Sequence, residues 1–128
     1  MKTQSANRGF IYEFLEKDGT THNKVLVVSS DHRRESNIIS ILMLGTKYTG
    51  KDCIELDAEI EGSDIWYVHC GLVTYTSRSR LGELLGQVSD SVMERITDNM
   101  GYQLGITEGI DYKQMYNDLL DRLTKGEV

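Results

Sequence analysis

Proline is absent from all 128 residues, so turns must rest on the 12 glycines and on Asn, Asp and Ser. Cysteine is nearly absent as well. Cys53 and Cys70 are too few for a disulfide scaffold or a four-cysteine zinc site, and both stand in apolar stretches where reduced, buried thiols are expected. No apolar run approaches the roughly 20 residues that cross a bilayer, which excludes a helical membrane span. The opening stretch, Met1 to Asn7, is short and polar and lacks the apolar core of a secretory signal, so the expected location is the cytosol. The three histidines, His22, His32 and His69, are scattered singly. Without HExxH or paired-His spacing, no metal site and no cofactor is expected. Phosphate-cradling glycine loops, GxGxxG and GxSxG are all missing, which removes support for nucleotide binding of those kinds and for a hydrolase elbow.

What is present is acidic. The net charge is −6 and the pI about 5.0. That argues against generic coating of nucleic acid, which needs a broad basic surface, and leaves room only for a local groove. Residues 90–128 carry eight acidic and four basic side chains, and residues 1–89 carry 12 and 10, so an anion site belongs in the front part.

The first two thirds reads as strands: Phe10–Leu15, Val25–Val28, Ile38–Leu44, Cys53–Leu56, Ile65–Val68 and Leu72–Thr76. Asp18-Gly19 is a turn signal, Gly71 a bulge or tight bend, and the unbroken run at Val25 implies burial on both faces. After Arg80 the pattern changes. Ser89 is an expected N-cap, and Val92, Met93, Ile96, Met100 and Leu104 share one helical face that Gly105 closes. A second helix is expected from about Asp111 to Thr124, with Met115, Leu119, Leu120 and Leu123 as its apolar stripe. Strands in close succession followed by helices give an α+β class, a small antiparallel barrel or sandwich with helices on one side.

The polar residues gather at strand ends. His22, Asn23 and Lys24 precede one strand; His32, Arg33 and Arg34 follow it; Thr46 and Lys47 follow the next; Arg78 and Arg80 form a second basic pair. If residues 25–30 and 37–44 pair as a hairpin, His32 to Arg34 sit at its turn, while Lys24 and Thr46 approach one another at the other end. Read singly, the arginines are solvated loop charges.

Read in order, these stretches resemble the MazF/PemK toxin family. Arg8-Gly9-Phe10-Ile11-Tyr12 is similar to its Arg-Gly-Asp-Ile-Tyr opening, and Val25-Leu26-Val27-Val28-Ser29-Ser30-Asp31 to its second strand. Ile54-Glu55-Leu56-Asp57 resembles its His-Val-x-Ile/Leu strand. Cys70 to Gly82, including Arg78-Ser79-Arg80-Leu81-Gly82, resembles its Cys-x-Gln…Lys-x-Arg-Leu-Gly segment. Leu85 to Asp90 and Gln103-Leu104-Gly105-Ile106 match the stretches before and after its helix. The resemblance spans residues 8–106. It implies an SH3-like barrel of the CcdB/Kid/MazF type, usually homodimeric. It also implies a metal-independent endoribonuclease that cuts single-stranded RNA through the RNA's own 2′-hydroxyl and is silenced by an antitoxin protein. Residues 1–106 then form the barrel with its helix, and 107–128 an added helix of the same domain, expected to pack on it.

The carry-over of residues is partial. The family's catalytic Thr falls on Thr46. Its catalytic Arg falls on Asn23 and the following Pro on Lys24. Asn supplies neither a permanent charge nor a guanidinium fork. His22 or Lys24 stand beside it as substitutes, and His32, Arg33, Arg34, Lys47, Arg78 and Arg80 as RNA-binding groups. Two other functions stay open on this reading: a catalytically degenerate module that binds nucleic acid or protein, and a gyrase inhibitor like the CcdB relatives. Phe10, Tyr12, Trp66 and Tyr67 are the core or dimer-interface aromatics.

Overall fold

The computed structural model describes residues 4–21, 23–58, 60, 65–103 and 105. The second helix expected at 111–124, Leu104 and His22 lie outside the described residues.

Among the described residues seven strands precede one helix: β1 (Phe10–Phe14), β2 (Asn23–Val27), β3 (Ile38–Gly45), β4 (Cys53–Glu55), β5 (Tyr67–His69), β6 (Thr74–Ser77), β7 (Leu81–Gln87) and α1 (Asp90–Gln103). All described pairings are antiparallel, in the order β4-β5-β3-β2-β1-β7, with β6 on β3. The β2–β3 hairpin forms in the expected way, with Val25 opposite Met43 and Val27 opposite Ile41. Its connection carries a short 3-10 turn at Asp31–Arg33.

Side-chain alternation along β1, β2 and β3 divides the apolar residues between two cores. One face sends Ile11, Leu26, Leu42 and Leu44 under α1, where they meet Val92 and Ile96 and, from β4 and β5, Ile54 and Val68. The other face sends Tyr12, Phe14, Val25, Val27, Ile39 and Ile41 against Leu81. The run at Val25 is thus buried on both sides, each such side chain contributing about 1.5–3 kcal/mol. Ser89 caps α1 as expected, its hydroxyl accepting from Val92 N at 3.3 Å. Gly105, at φ +76°, turns the chain out of the helix, with its N–H on Tyr102 O at 3.0 Å. Arg8 ties the helix to the sheet by donating to the Val28 carbonyl and to Thr97 Oγ1. Among the expected core or interface aromatics, Tyr12 is buried, while Phe10 and Trp66 pack half-buried on the two cores. Tyr67, half-buried, meets Tyr48 edge to face.

β7 has no counterpart in the sequence reading. Its Gly82 and Gly86 weaken the strand signal, yet close approach requires glycine at 82: a Cβ there would sit 3.2 Å from both the Cβ and the carbonyl oxygen of Glu13. Two register shifts in the β1–β7 pairing obscure the alternation further. β5 and β6 each begin two residues later than expected, leaving Ile65 and Leu72 exposed, while β2 begins two residues earlier. β6 runs into β7 through the 3-10 turn Arg78–Arg80, whose ends are tied to opposite sides of the sheet. Arg78 N donates to Asn37 O, and Leu15 N donates to Arg80 O, both at 2.8 Å. The run β6-β3-β2-β1-β7 therefore begins and ends on one stretch of chain and curls around the second core. No ladder joins β6 to β7 among the described residues, so the sheet is curved but open where a closed barrel was expected; the 3-10 turn interrupts the pairing.

Candidate functional site

The end of the sheet away from the Asp31–Arg33 turn holds a cleft. It forms where the β1–β2 connection meets the start of β7. Arg80 lies across Phe14 with its guanidinium carbon 4.4 Å from the ring centre. Its Nε donates to Leu15 O at 2.8 Å, and its Nη2 stands 3.6 Å from Glu16 Oε2. The other carboxylate oxygen of Glu16 accepts from Asn23 Nδ2 at 2.6 Å. Asp18 closes the turn, its Oδ1 accepting from the backbone N and the hydroxyl of Thr20 at 2.9 and 2.7 Å. The open cleft has a volume of about 640 Å³ and is lined by these residues together with Lys17.

Thr46 borders this end. The β2–β3 ladder ends with Val25 opposite Met43; Thr46 lies just past the end of β3 and is not among the residues that line the cleft. Thr46 and Lys47 are both exposed. The hydroxyl is thus open to solvent, with a neighbouring cation in the chain. Lys24 does not join the cleft. Strand alternation turns it to the face opposite Asn23, where it is 7% exposed and its Nζ lies 5.0 Å from the Trp66 ring centre.

The remaining basic residues separate from Thr46. His32, Arg33 and Arg34 occupy the turn end of the hairpin, which the eight residues of β3 place roughly 25 Å of strand away at about 3.3 Å per residue. They serve local structure. The His32 ring stands 3.0 Å from the Ser30 hydroxyl, Arg33 Nη2 donates to Ile38 O, and Arg34 Nη1 donates to Asp31 O. Arg78 is built into the same region, donating to Ser36 O and Gln4 O at 2.9 Å each and pairing with Glu35 at 3.3 Å. The sequence separates Arg78 from Arg80 by one residue; the 3-10 turn sends them to different ends.

Glu16 and Phe14 were not singled out by sequence. Asp18-Gly19 marks the turn, but only the fold shows that the chain returns 65 positions later to lay Arg80 on it. His69 was likewise missed. It pairs across the sheet with Cys53, its Nδ1 3.1 Å from the sulfur, and its ring covers the bare face of Gly45. Burial, with the Asp52 and Cys53 charges adding to it, pushes the nearby Cys70 thiol up to about 12. No cluster of three metal-ligating side chains occurs among the described residues, and none of their helices is long and apolar enough to cross a membrane.

Residues 12–104 match the model of the PemK-like, MazF-like toxins of type II toxin–antitoxin systems. The chain belongs to this family. No curated protein matches it. Among solved structures, an endoribonuclease from a mycobacterial species superposes with a TM-score of 0.66 at 20% identity, covering 82% of this chain and 97% of that one. A mycobacterial endoribonuclease in complex with its cognate antitoxin gives 0.66 at 20%, covering 78% and 95%. A MazE–MazF complex from Deinococcus radiodurans gives 0.63 at 17%, covering 80% and 98%. At these identities the likeness establishes a shared fold.

Proposed function

We propose that this PemK-like protein is an endoribonuclease toxin that cuts single-stranded RNA by attack of the 2′-hydroxyl, without a metal. The observation that carries the reading is the Arg80 guanidinium, laid on Phe14 in a cleft shared with Asn23, at the sheet end where Thr46 is exposed. Arg80 takes the place of the guanidinium missing at position 23: it binds the scissile phosphate and stabilises charge that develops on it. The Thr46 hydroxyl donates to a phosphate oxygen, and Lys47 lies along the path of the strand. A protein antitoxin is the expected partner, as family membership and the antitoxin complex of a structural neighbour suggest. A homodimer is the expected assembly; the edge strand β6 with exposed Tyr75 and the nearby Ile38 and Leu72 leave apolar surface to cover.

The test is a single-stranded oligoribonucleotide incubated with the parent and with Thr46→Ala in EDTA. Fragments with 2′,3′-cyclic phosphate ends are expected from the parent, and a rate lower by about 10²-fold from the variant. RNA left intact by pure parent protein refutes the reading. A second reading, a binding module without cleavage, is favoured by one observation: Asn23 is held by Glu16, so position 23 offers no cation. Intact RNA together with measurable RNA binding would select it.

A further inference from the structure

We infer that Glu16 is the general base of this cleavage, with Asn23 and Arg80 positioning its carboxylate. The inference rests on the ribonuclease reading above. Attack by a 2′-hydroxyl needs a proton acceptor next to the cation that holds the phosphate. The cleft offers two carboxylates. Asp18 is committed to the turn, where one oxygen accepts two hydrogen bonds from Thr20. Glu16 accepts one hydrogen bond on Oε1 from Asn23, and its Oε2 stands at the edge of the Arg80 guanidinium with its side chain 31% exposed. A phosphate on that guanidinium brings the 2′-oxygen of the adjoining ribose beside Oε2.

The arrangement gives Asn23 a chemical meaning. A neutral amide orients the carboxylate without neutralising it. An arginine at 23 would hold Glu16 as a second counter-ion and draw it away from the substrate. Glu16 and Asn23 therefore form one device, in which the cation comes from Arg80. In the step itself, Glu16 takes the 2′-hydroxyl proton as the 2′-oxygen bonds to phosphorus. The bond from phosphorus to the 5′-oxygen breaks, and that oxygen takes a proton from solvent water. Glu16 then returns its proton to solvent, leaving a 2′,3′-cyclic phosphate and a 5′-hydroxyl.

The charged groups lining the cleft with Glu16 are Arg80 from the 3-10 turn and Lys17 and Asp18 from the β1–β2 connection. The experiment measures kcat and KM against pH on the same oligoribonucleotide for the parent, Glu16→Gln and Glu16→Ala. Gln keeps the acceptor that Asn23 uses and loses the base. Its kcat is expected to fall 10²- to 10⁴-fold with KM unchanged or lower, and the acid limb of kcat to disappear. Added formate is expected to restore part of the Glu16→Ala rate, which a purely structural role would not allow. Cleavage by Glu16→Gln within threefold of the parent, with the acid limb kept, overturns the assignment and leaves the ribonuclease reading intact. So does a Glu16→Ala enzyme that formate fails to rescue. A parent that leaves RNA whole overturns both.

Discussion

Replacing Arg80 with alanine separates what this side chain does for the fold from the phosphate-binding role proposed for it. Three contacts are lost. The Nε bond to Leu15 O, at 2.8 Å, is a charge-assisted bond between the 3-10 turn and the end of β1. Contact with the Phe14 face adds a cation–π term, and the Glu16 pair, with both side chains 31% exposed, adds little because solvent screens it. Bonds to charged groups contribute about 1.5–3 kcal/mol and an exposed cation–π contact about 0.5–1, so Arg80→Ala is expected to cost about 2–4 kcal/mol. Urea unfolding followed by circular dichroism reads this directly, as a fall in midpoint of roughly 1–2 M. Removing a preorganised donor to the phosphate lowers kcat about 10²- to 10³-fold, a separate readout. Arg80→Lys is the control: it keeps the charge over Phe14 but not the planar fork, so it is expected to retain more stability and still lose at least about tenfold in kcat. A folded Arg80 variant that cleaves within threefold of the parent refutes the assignment of the phosphate site. An unchanged urea midpoint refutes the structural part.

Two further outcomes follow from titrating groups. Asp57 Oδ1 accepts from Ser89 N at 3.2 Å, and hydrogen bonding to Ser89 holds its carboxyl below the ordinary 3.8. A native value below the unfolded one stabilises the fold above the unfolded value and is lost as pH falls through the native one. The gap in urea midpoint between parent and Asp57→Asn should therefore be present at pH 7 and vanish in strong acid; a gap independent of pH would contradict this. Ser89→Ala, which also removes the N-cap, is expected to cost about 1 kcal/mol. Cys70 shows the opposite sign. Its native value near 12 exceeds the ordinary 9.0, so its stabilisation is complete below pH 9 and declines as pH rises towards 12. The folded protein should resist alkylation at Cys70 at pH 8 and react once unfolded in urea; rapid labelling of the native thiol would show the site to be open.

Much of the fold could be read before any coordinates, because its signals are local. Val25 to Val28 is apolar without alternation, and both faces are indeed covered. Ser89, the Val92–Ile96 spacing and Gly105 set the helix and its two ends. β7 escaped because its glycines serve contact with β1 and its alternation slips at two bulges, so the information lies in the partner strand. The candidate cleft was less legible: of the described residues expected at the site, only Asn23 and Arg80 line it. Hairpin logic gives the β2–β3 pairing and puts His32, Arg33 and Arg34 at its connecting turn, whereas the Lys24 it sets towards Thr46 is buried beside Trp66. Charge alone hid this, since an exposed arginine in a loop looks the same at either end.

The decisive pairing is long-range. Arg80 and Glu16 are brought together by a 3-10 turn that lets β6 end beside β3 and β7 begin beside β1 within three residues. A sequence reading that looks for the lost arginine among the neighbours of Asn23 therefore finds Lys24, which strand geometry points to the wrong face. On the proposed reading the guanidinium comes instead from Arg80, across the sheet. It follows that the identity of residue 23 cannot be judged alone. Asn at 23 is a defect if the cleft holds no other guanidinium, and a fitted part if Arg80 supplies one while Glu16 needs a neutral partner. The two cases differ in the double variant Asn23→Arg/Arg80→Ala. A true defect at 23 would be repaired by restoring arginine there whatever stands at 80, whereas a cleft built around Arg80 and Glu16 loses its base to the new ion pair and stays slow.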